Sequence, residues 1–197
     1  MTLNFDIILE DKRVRLEPLS WAHFETLLPI AIQHPDLLDY SPPPFGSEDT
    51  LKLYFQNNLE LKNNRLKCPF VIFDKNENCY AGSSSFLNIS EIDERLEIGS
   101  TWLGKKFQRT GLNRHCKYLM FKYAFETLKF QRVELKTDAR NTQSRTAIKA
   151  IGAQYEGTLR SHTLLSDGHR RDTVYYSILK DEWPGIRTTV FKSILND

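Results

Sequence analysis

The sequence predicts a mixed α/β protein of the α+β kind: one twisted, mostly antiparallel sheet of about seven strands, flanked by helices. Three features predict it. Between residues 69 and 103, three strand-like runs follow one another across short turns, as in an antiparallel meander. Residues 95 to 137 then read strand, helix, strand, at a length that calls for a right-handed crossover and therefore a parallel pair. Near the end, Ser166-Asp167-Gly168-His169 separates two further strand-like runs, and an Asp-Gly pair is a strong hairpin signal.

After a short, irregular start, Arg13 to Leu19 alternates polar and apolar residues, as a half-buried strand does. Ser20 offers an N-cap for a helix in which Trp21, Phe24, Leu27, Leu28 and Ala31 share a face. That helix should stop at His34-Pro35, because a residue before proline is pushed out of the α region. The three prolines at 42 to 44 exclude regular structure. Ser47 then starts a second helix carrying Leu51, Tyr54, Phe55 and Leu59, with Glu48 and Asp49 in its first turn, where the helix dipole favours acid. Residues 70–73, 79–89 and 95–103 are the meander. Leu112, Cys116, Leu119, Met120, Tyr123, Ala124 and Leu128 form the buried stripe of the third helix. A strand at 132–137 follows, then a helix from Asn141 that ends at Gly152, then the hairpin strands 153–165 and 170–179, and a tail with one short helix. No repeat or linker divides the chain, so residues 1–197 are expected to form a single domain with a core at about 11–185 and a tail at 186–197.

With 40% hydrophobic and 26% charged residues, the composition is that of a globular protein. No apolar run reaches the roughly 20 residues that cross a bilayer, and the N-terminus has no signal-peptide pattern, so the expectation is a cytoplasmic protein without membrane association. A net charge of +2 does not suit a nucleic-acid binder. Cys68, Cys79 and Cys116 show neither paired nor zinc-ligand spacing, so reduced thiols and no metal site are expected.

The chemistry concentrates at residues 97 to 114. A strand leads into Leu103-Gly104-Lys105-Lys106-Phe107-Gln108-Arg109-Thr110-Gly111-Leu112-Asn113-Arg114, and then into a helix. The first N–H groups of a helix lack intrahelical partners and lie at the positive end of its dipole, so a loop folded over them makes a socket for phosphate. Gly111 allows close backbone approach, and Lys105, Lys106, Arg109, Arg114 and Lys117 supply positive charge. The plain alternative is a solvated basic loop before an ordinary helix.

The order of elements, with this loop at its centre, resembles the GNAT superfamily of acyl-CoA-dependent N-acyltransferases over roughly residues 11 to 185. The family's pyrophosphate loop is Gln or Arg, two residues, Gly, one residue, and Gly or Ala; here it reads Gln108-Arg109-Thr110-Gly111-Leu112-Asn113, lacking the last small residue. A second family feature, an Asn opening the next helix with a small residue three on, an apolar pair and a terminal Gly, is met by Asn141, Ser144, Ala147-Ile148 and Gly152. Within the superfamily the chain is similar to the branch that includes ribosomal-protein N-terminal acetyltransferases. Glu97-Ile98-Gly99 with Trp102-Leu103, Glu156-Gly157 with Leu159-Arg160, and Arg171-Asp172-Thr173 with Tyr175-Tyr176-Ser177-Ile178 carry that likeness.

The resemblance implies acetyl-CoA as cosubstrate and an amine as acceptor. It implies that Phe107 to Asn113 hold the pyrophosphate, with Arg109, Arg114 and Arg145 near the phosphates. The backbone of Thr101, Trp102 and Leu103 would pair with the pantetheine arm and polarise the acetyl carbonyl. Asn141 and Ser144 belong to the same binding surface. Many relatives carry a tyrosine acid where this chain has Ile148, so Ser144 is expected to protonate the thiolate instead. Glu97 and His162 are the candidates to orient or deprotonate the amine. An α-amine with pKa about 7.7–8.0 is roughly a tenth neutral at pH 7, against under one in a thousand for an ordinary lysine, so a site without a strong base suits an α-amine. Two other readings stay open: a CoA-binding scaffold without catalysis, motivated by Asn113 and Ile148, and a monomer or homodimer as the assembled form.

Overall fold

The computed structural model describes residues 2–195. One sheet of eight strands runs through the protein in the order β1-β2-β3-β4-β5-β6-β8-β7. The strands are β1 Leu9–Glu10, β2 Val14–Pro18, β3 Lys67–Asp74, β4 Cys79–Ser90, β5 Arg95–Leu103, β6 Arg132–Asp138, β7 Gln154–Leu164 and β8 Arg170–Leu179. Every pair is antiparallel except β5 with β6. The helices are α1 Phe24–Gln33, α2 Glu48–Asn63, α3 Leu112–Lys122, α4 Thr142–Ala150, α5 Trp183–Thr189 and α6 Lys192–Leu195.

The eighth strand, β1, departs from the expected seven. It is two residues long and returns into β2 through a turn in which Asp11 Oδ1 accepts from the N–H groups of Arg13 and Val14, both at 2.8 Å. A strand of two residues carries no periodicity to read.

The two faces of the sheet are covered differently. On one, α3 packs its stripe against Leu16, Phe70, Ile72, Phe86, Leu96, Ile98 and Val133 in the larger core. On the other, α1 and α2 cover only the half near β3 and β4, with Leu27, Leu51, Tyr54, Phe55, Val71 and Trp102 in a smaller core. Over β6, β8 and β7 that second face has, among the described residues, no helix in this smaller core and is polar: Glu134, Lys136, Thr173, Tyr175 and Ser177 lie there, opposite the core residues Val133, Leu135, Val174, Tyr176 and Ile178.

Two elements differ from the expected pattern. The third helix does not stay α to Leu128; residues 123–127 form a wide π turn, with Leu128 N–H donating to Tyr123 O. The wider turn lets Phe121 and Phe125 both reach Trp183, with ring centroids 5.9 and 5.7 Å away. The tail, expected to hold one short helix, holds two among the described residues, α5 and α6. Phe191 is fully buried against Tyr118, Phe121 and Trp183, and Trp183 Nε1–H donates to Glu126 Oε1 at 2.9 Å.

Candidate active site

The site is built where β5 and β6 part. Their parallel pairing runs through Arg95 with Arg132, Leu96 with Val133 and Glu97 with Glu134, and then stops. Both strands continue, β5 to Leu103 and β6 to Asp138, so their facing edges are left without each other's hydrogen bonds. An amide-bearing chain inserted there would find a row of main-chain donors and acceptors. A β-bulge starts the divergence: opposite β4 the register shifts between Ser83 and Ser85, and Ser100 has φ of +49°.

At the open end lies the basic loop. Arg109 at φ +61° and Gly111 at φ +90° turn the chain into a concavity above the start of α3. Thr110 Oγ1–H donates to Phe107 O, and the N–H groups of Arg114 and His115 return to Gly111 O. Among the described residues, no bond to another main-chain group engages the N–H groups of Arg109, Thr110, Gly111 and Asn113. A Cβ built on Gly111 would meet nothing within 4 Å, and Asn113 Oδ1 is buried without a hydrogen-bond partner. An open cradle of N–H groups fits the pyrophosphate of a coenzyme A thioester; Asn113 Oδ1, an acceptor, adds nothing to that fit.

Phe107 and Leu112 bury their side chains in the core and anchor the loop. Gln108 Nε2 donates to Leu103 O at 3.0 Å and its Oε1 accepts from Gln143 at 3.1 Å, linking β5 to the first turn of α4.

The expected ring of cations is dispersed. Arg114 donates to Val190 O, and Arg145 turns inward to Ala139 O at 3.0 Å and Tyr176 at 3.4 Å. Lys105 pairs with Asp36 at 2.8 Å, and Lys106 lies over the Phe107 ring. Lys117 does not join the phosphate socket; it is buried against the sheet, bonded to Ser84 and Thr101. Arg109 stays exposed on the loop.

Asn141 caps α4, its Oδ1 accepting from Ser144 N–H at 2.9 Å. Ser144 therefore sits in the first turn, half-buried like its neighbour Arg145, whereas Ile148 is buried and Ala147 exposed. Thr101 and Leu103 point to the α3 face and Trp102 to the other, where its Nε1–H donates to Tyr54 at 3.2 Å.

Glu97 is 2% exposed and lies on the polar face. Its Oε2 takes Lys136 Nζ at 2.9 Å and Asn88 Nδ2 at 2.7 Å. Its Oε1 lies over Gly99, so close that a Cβ there would stand 2.8 Å from it. Lys136 lies 5.9 Å from the centre of the Tyr175 ring, and Tyr175 is 6.0 Å from the His162 ring. Thus Glu97 and His162 share one face, joined through Lys136 and Tyr175. His162 Nδ1 is held by Thr173 Oγ1 at 3.1 Å, beside a break in register where Ser161 has φ of +52°. Arg171 closes this end: its guanidinium donates to Thr173 Oγ1 and to Tyr40 O, both at 3.0 Å, tying the proline-rich loop to β8.

Four residues at this site were not expected there from the sequence: Lys67, Lys136, Tyr40 and Arg171, the last named only within a family motif. Alternation in β3, β6 and β8 places the three cations on one face, which is the signal that could have found them; Tyr40 lies in a loop that has none. Burial pushes Lys67 down to about 8, against the pull of Glu97, and its Nζ donates to Ser100 Oγ at 2.9 Å.

The chain is similar to known proteins in both sequence and fold. Residues 13–154 match the family described as acetyltransferase (GNAT) domain. A Bacillus subtilis (strain 168) protein with the provisional name ribosomal N-acetyltransferase YdaF is 36% identical over 104 residues, 53% of this chain and 56% of that protein. The chain thus spans little more than half of that relative's length. The structure of a provisionally assigned acetyltransferase from T. thermophilus superposes with a TM-score of 0.87 at 33% identity, covering 98% of this chain and 100% of that one. The ribosomal-protein-S5-alanine acetyltransferase of Vibrio fischeri shares the fold, with a TM-score of 0.72 at 21% identity over 90% of this chain and 99% of that one. On the matched family over residues 13–154 and the full-length structural likeness, the chain belongs to the GNAT acetyltransferase family.

Proposed function

We propose that this protein is an acetyl-CoA-dependent N-acetyltransferase that transfers the acetyl group directly to a primary amine, on a protein N-terminus, a peptide or a small molecule. The observation that carries the reading is the β5–β6 gap, entered from a loop whose N–H groups suit phosphate. Acetyl-CoA supplies an activated thioester; the rest is positioning and proton traffic by this chain.

The cradle from Phe107 to Asn113, with Arg109, holds the diphosphate. The freed edge of β5 at Thr101 to Leu103 pairs with the amides of the arm, and a main-chain N–H there stabilises the charge that develops on the carbonyl oxygen. Ser144, at the start of α4, donates a proton to the departing thiolate. On the polar face, Glu97 Oε1 accepts from the incoming amine, because Oε2 is already taken by Lys136 and Asn88. That makes Glu97 an orienting group more than a base, with His162 placed to relay the proton outward. Such a site favours an amine that is already partly neutral, which an α-amine is. The name of the B. subtilis relative, ribosomal N-acetyltransferase, supports acetyl transfer to nitrogen.

The test is a calorimetric titration with acetyl-CoA and with dephospho-CoA, followed by a panel of amines that begins with peptides. Micromolar binding and turnover of a peptide α-amine, lowered at least about tenfold by both Ser144→Ala and Glu97→Gln, is the expected result. Unchanged turnover in both variants would remove the assigned roles. Binding with no turnover on any amine would instead favour the scaffold reading.

A further inference from the structure

We propose that Lys67 is itself an acetyl acceptor, so that the protein modifies this lysine with the acetyl group held at the β5–β6 gap. The inference rests on the acetyl-transfer reading above and adds a modification site within it.

Three placements carry it. Lys67 opens β3 on the polar face, in the same cross-strand row as Leu87 and Glu97. Its Nζ reaches along the sheet to Ser100 Oγ at 2.9 Å, and Ser100 is the bulge residue from which β5 leaves β6. The ammonium has no carboxylate within salt-bridge distance among the described residues, unlike Lys136, which Glu97 holds at 2.9 Å. Lys117, the other buried lysine, donates to Ser84 and Thr101 on the α3 face and is enclosed there. Lys67 therefore stands on the side from which an amine approaches, beside the proposed carbonyl position, with its nitrogen held by a single hydroxyl.

Its ionisation fits this role. An acceptor must be neutral to react, and with its pKa pushed down to about 8 roughly a tenth of Lys67 is neutral at pH 7, as for a free α-amine. In the step, the ammonium first yields a proton to water. The Nζ lone pair then forms a bond to the acetyl carbon, the carbon–sulfur bond breaks, and the nitrogen gives up a second proton, which balances the one the departing thiolate takes up. The product is N-acetyl-lysine and free thiol, with no change of oxidation state. The modification removes one positive charge next to Glu97 and adds bulk to the acceptor face, so the modified protein should bind amine less well.

The experiment incubates the full chain with acetyl-CoA and no amine, and follows each lysine peptide by mass. The expected result is one acetyl group on Lys67, gained at least about tenfold faster than on exposed lysines such as Lys52 and Lys106, at a rate independent of protein concentration and rising with pH to a plateau just above 8. Lys67→Arg keeps a cation, should retain acetyl-CoA binding by calorimetry, and should lose the fast label. If acetyl-CoA binds and an added amine is turned over while Lys67 labels no faster than the exposed lysines, or labels at a rate that scales with protein concentration, self-acetylation is overturned and the transferase reading stands. If acetyl-CoA does not bind at all, both fall together.

Discussion

Lys117 carries its ammonium into the larger core, 4% exposed, and donates to Thr101 Oγ1 at 2.6 Å and Ser84 Oγ at 3.1 Å. Burial pushes its pKa down from 10.5 to about 8. Because the unfolded chain keeps the higher value, it binds more protons between those two pH values. Burial of the charge therefore costs stability in full below about pH 8 and is relieved as the pH rises toward 10.5, on the order of 3 kcal/mol across the window. Lys117→Met should be more stable than the parent at pH 7, with Ser84 and Thr101 still bonded to each other, and the advantage should shrink by pH 10. Denaturant melts at both pH values test it, and a gap that ignores pH would mean that burial does not disfavour the ammonium. A second residue-scale prediction concerns Gly99. Its Cβ would come 2.8 Å from Glu97 Oε1 and 3.3 Å from Leu87 Cδ2, so Gly99→Ala must move the carboxylate. Turnover should fall at least about tenfold with acetyl-CoA affinity nearly unchanged, read by kcat and by calorimetry.

Among the elements, the loop and α3 act together. Gly111 sits at φ +90° in open space, so an alanine there meets no clash and suffers only the left-handed strain, roughly 1–2 kcal/mol. Gly111→Ala should lower the melting temperature slightly and weaken acetyl-CoA binding about tenfold, since the cradle relaxes away from its concave form. A binding constant unchanged by calorimetry would show that the loop does not hold the diphosphate. Much of this level was legible in advance. Ser47 as cap of α2, the stop at His34-Pro35, Asn141 as cap of α4 and the stripe of α3 all stand where local rules put them. What escaped at this level was the π turn at 123–127, because an inserted residue follows from the need of Phe121 and Phe125 to reach Trp183, a partner about sixty residues away.

For the whole molecule, the sheet is braced on the α3 face by α5 and α6. Phe191 is fully buried between Tyr118, Phe121 and Trp183, and its neighbour Val190 receives Arg114 from the start of α3. Phe191→Ala should cost roughly 3–5 kcal/mol by leaving a cavity there. It should also weaken acetyl-CoA binding, because Arg114 and the loop lose their backstop. Thermal melts with and without acetyl-CoA measure both effects; a variant that melts like the parent would mean the tail is not part of the core.

The sequence by itself determined the periodic elements, their caps and turns, the glycine loop and the family motifs, since these depend on residues within a turn or a strand of one another. Only the tertiary structure decided how the charges are distributed. Arg114 and Arg145 turned to main-chain carbonyls, Lys117 went into the core, and Lys67, Lys136 and Arg171 came to the polar face that holds Glu97. A long basic side chain can end several ångströms from its own Cα, and which acceptor it meets is set by strands that pair across the fold. That choice is made by long-range register and by the cost of leaving a buried polar group without a partner.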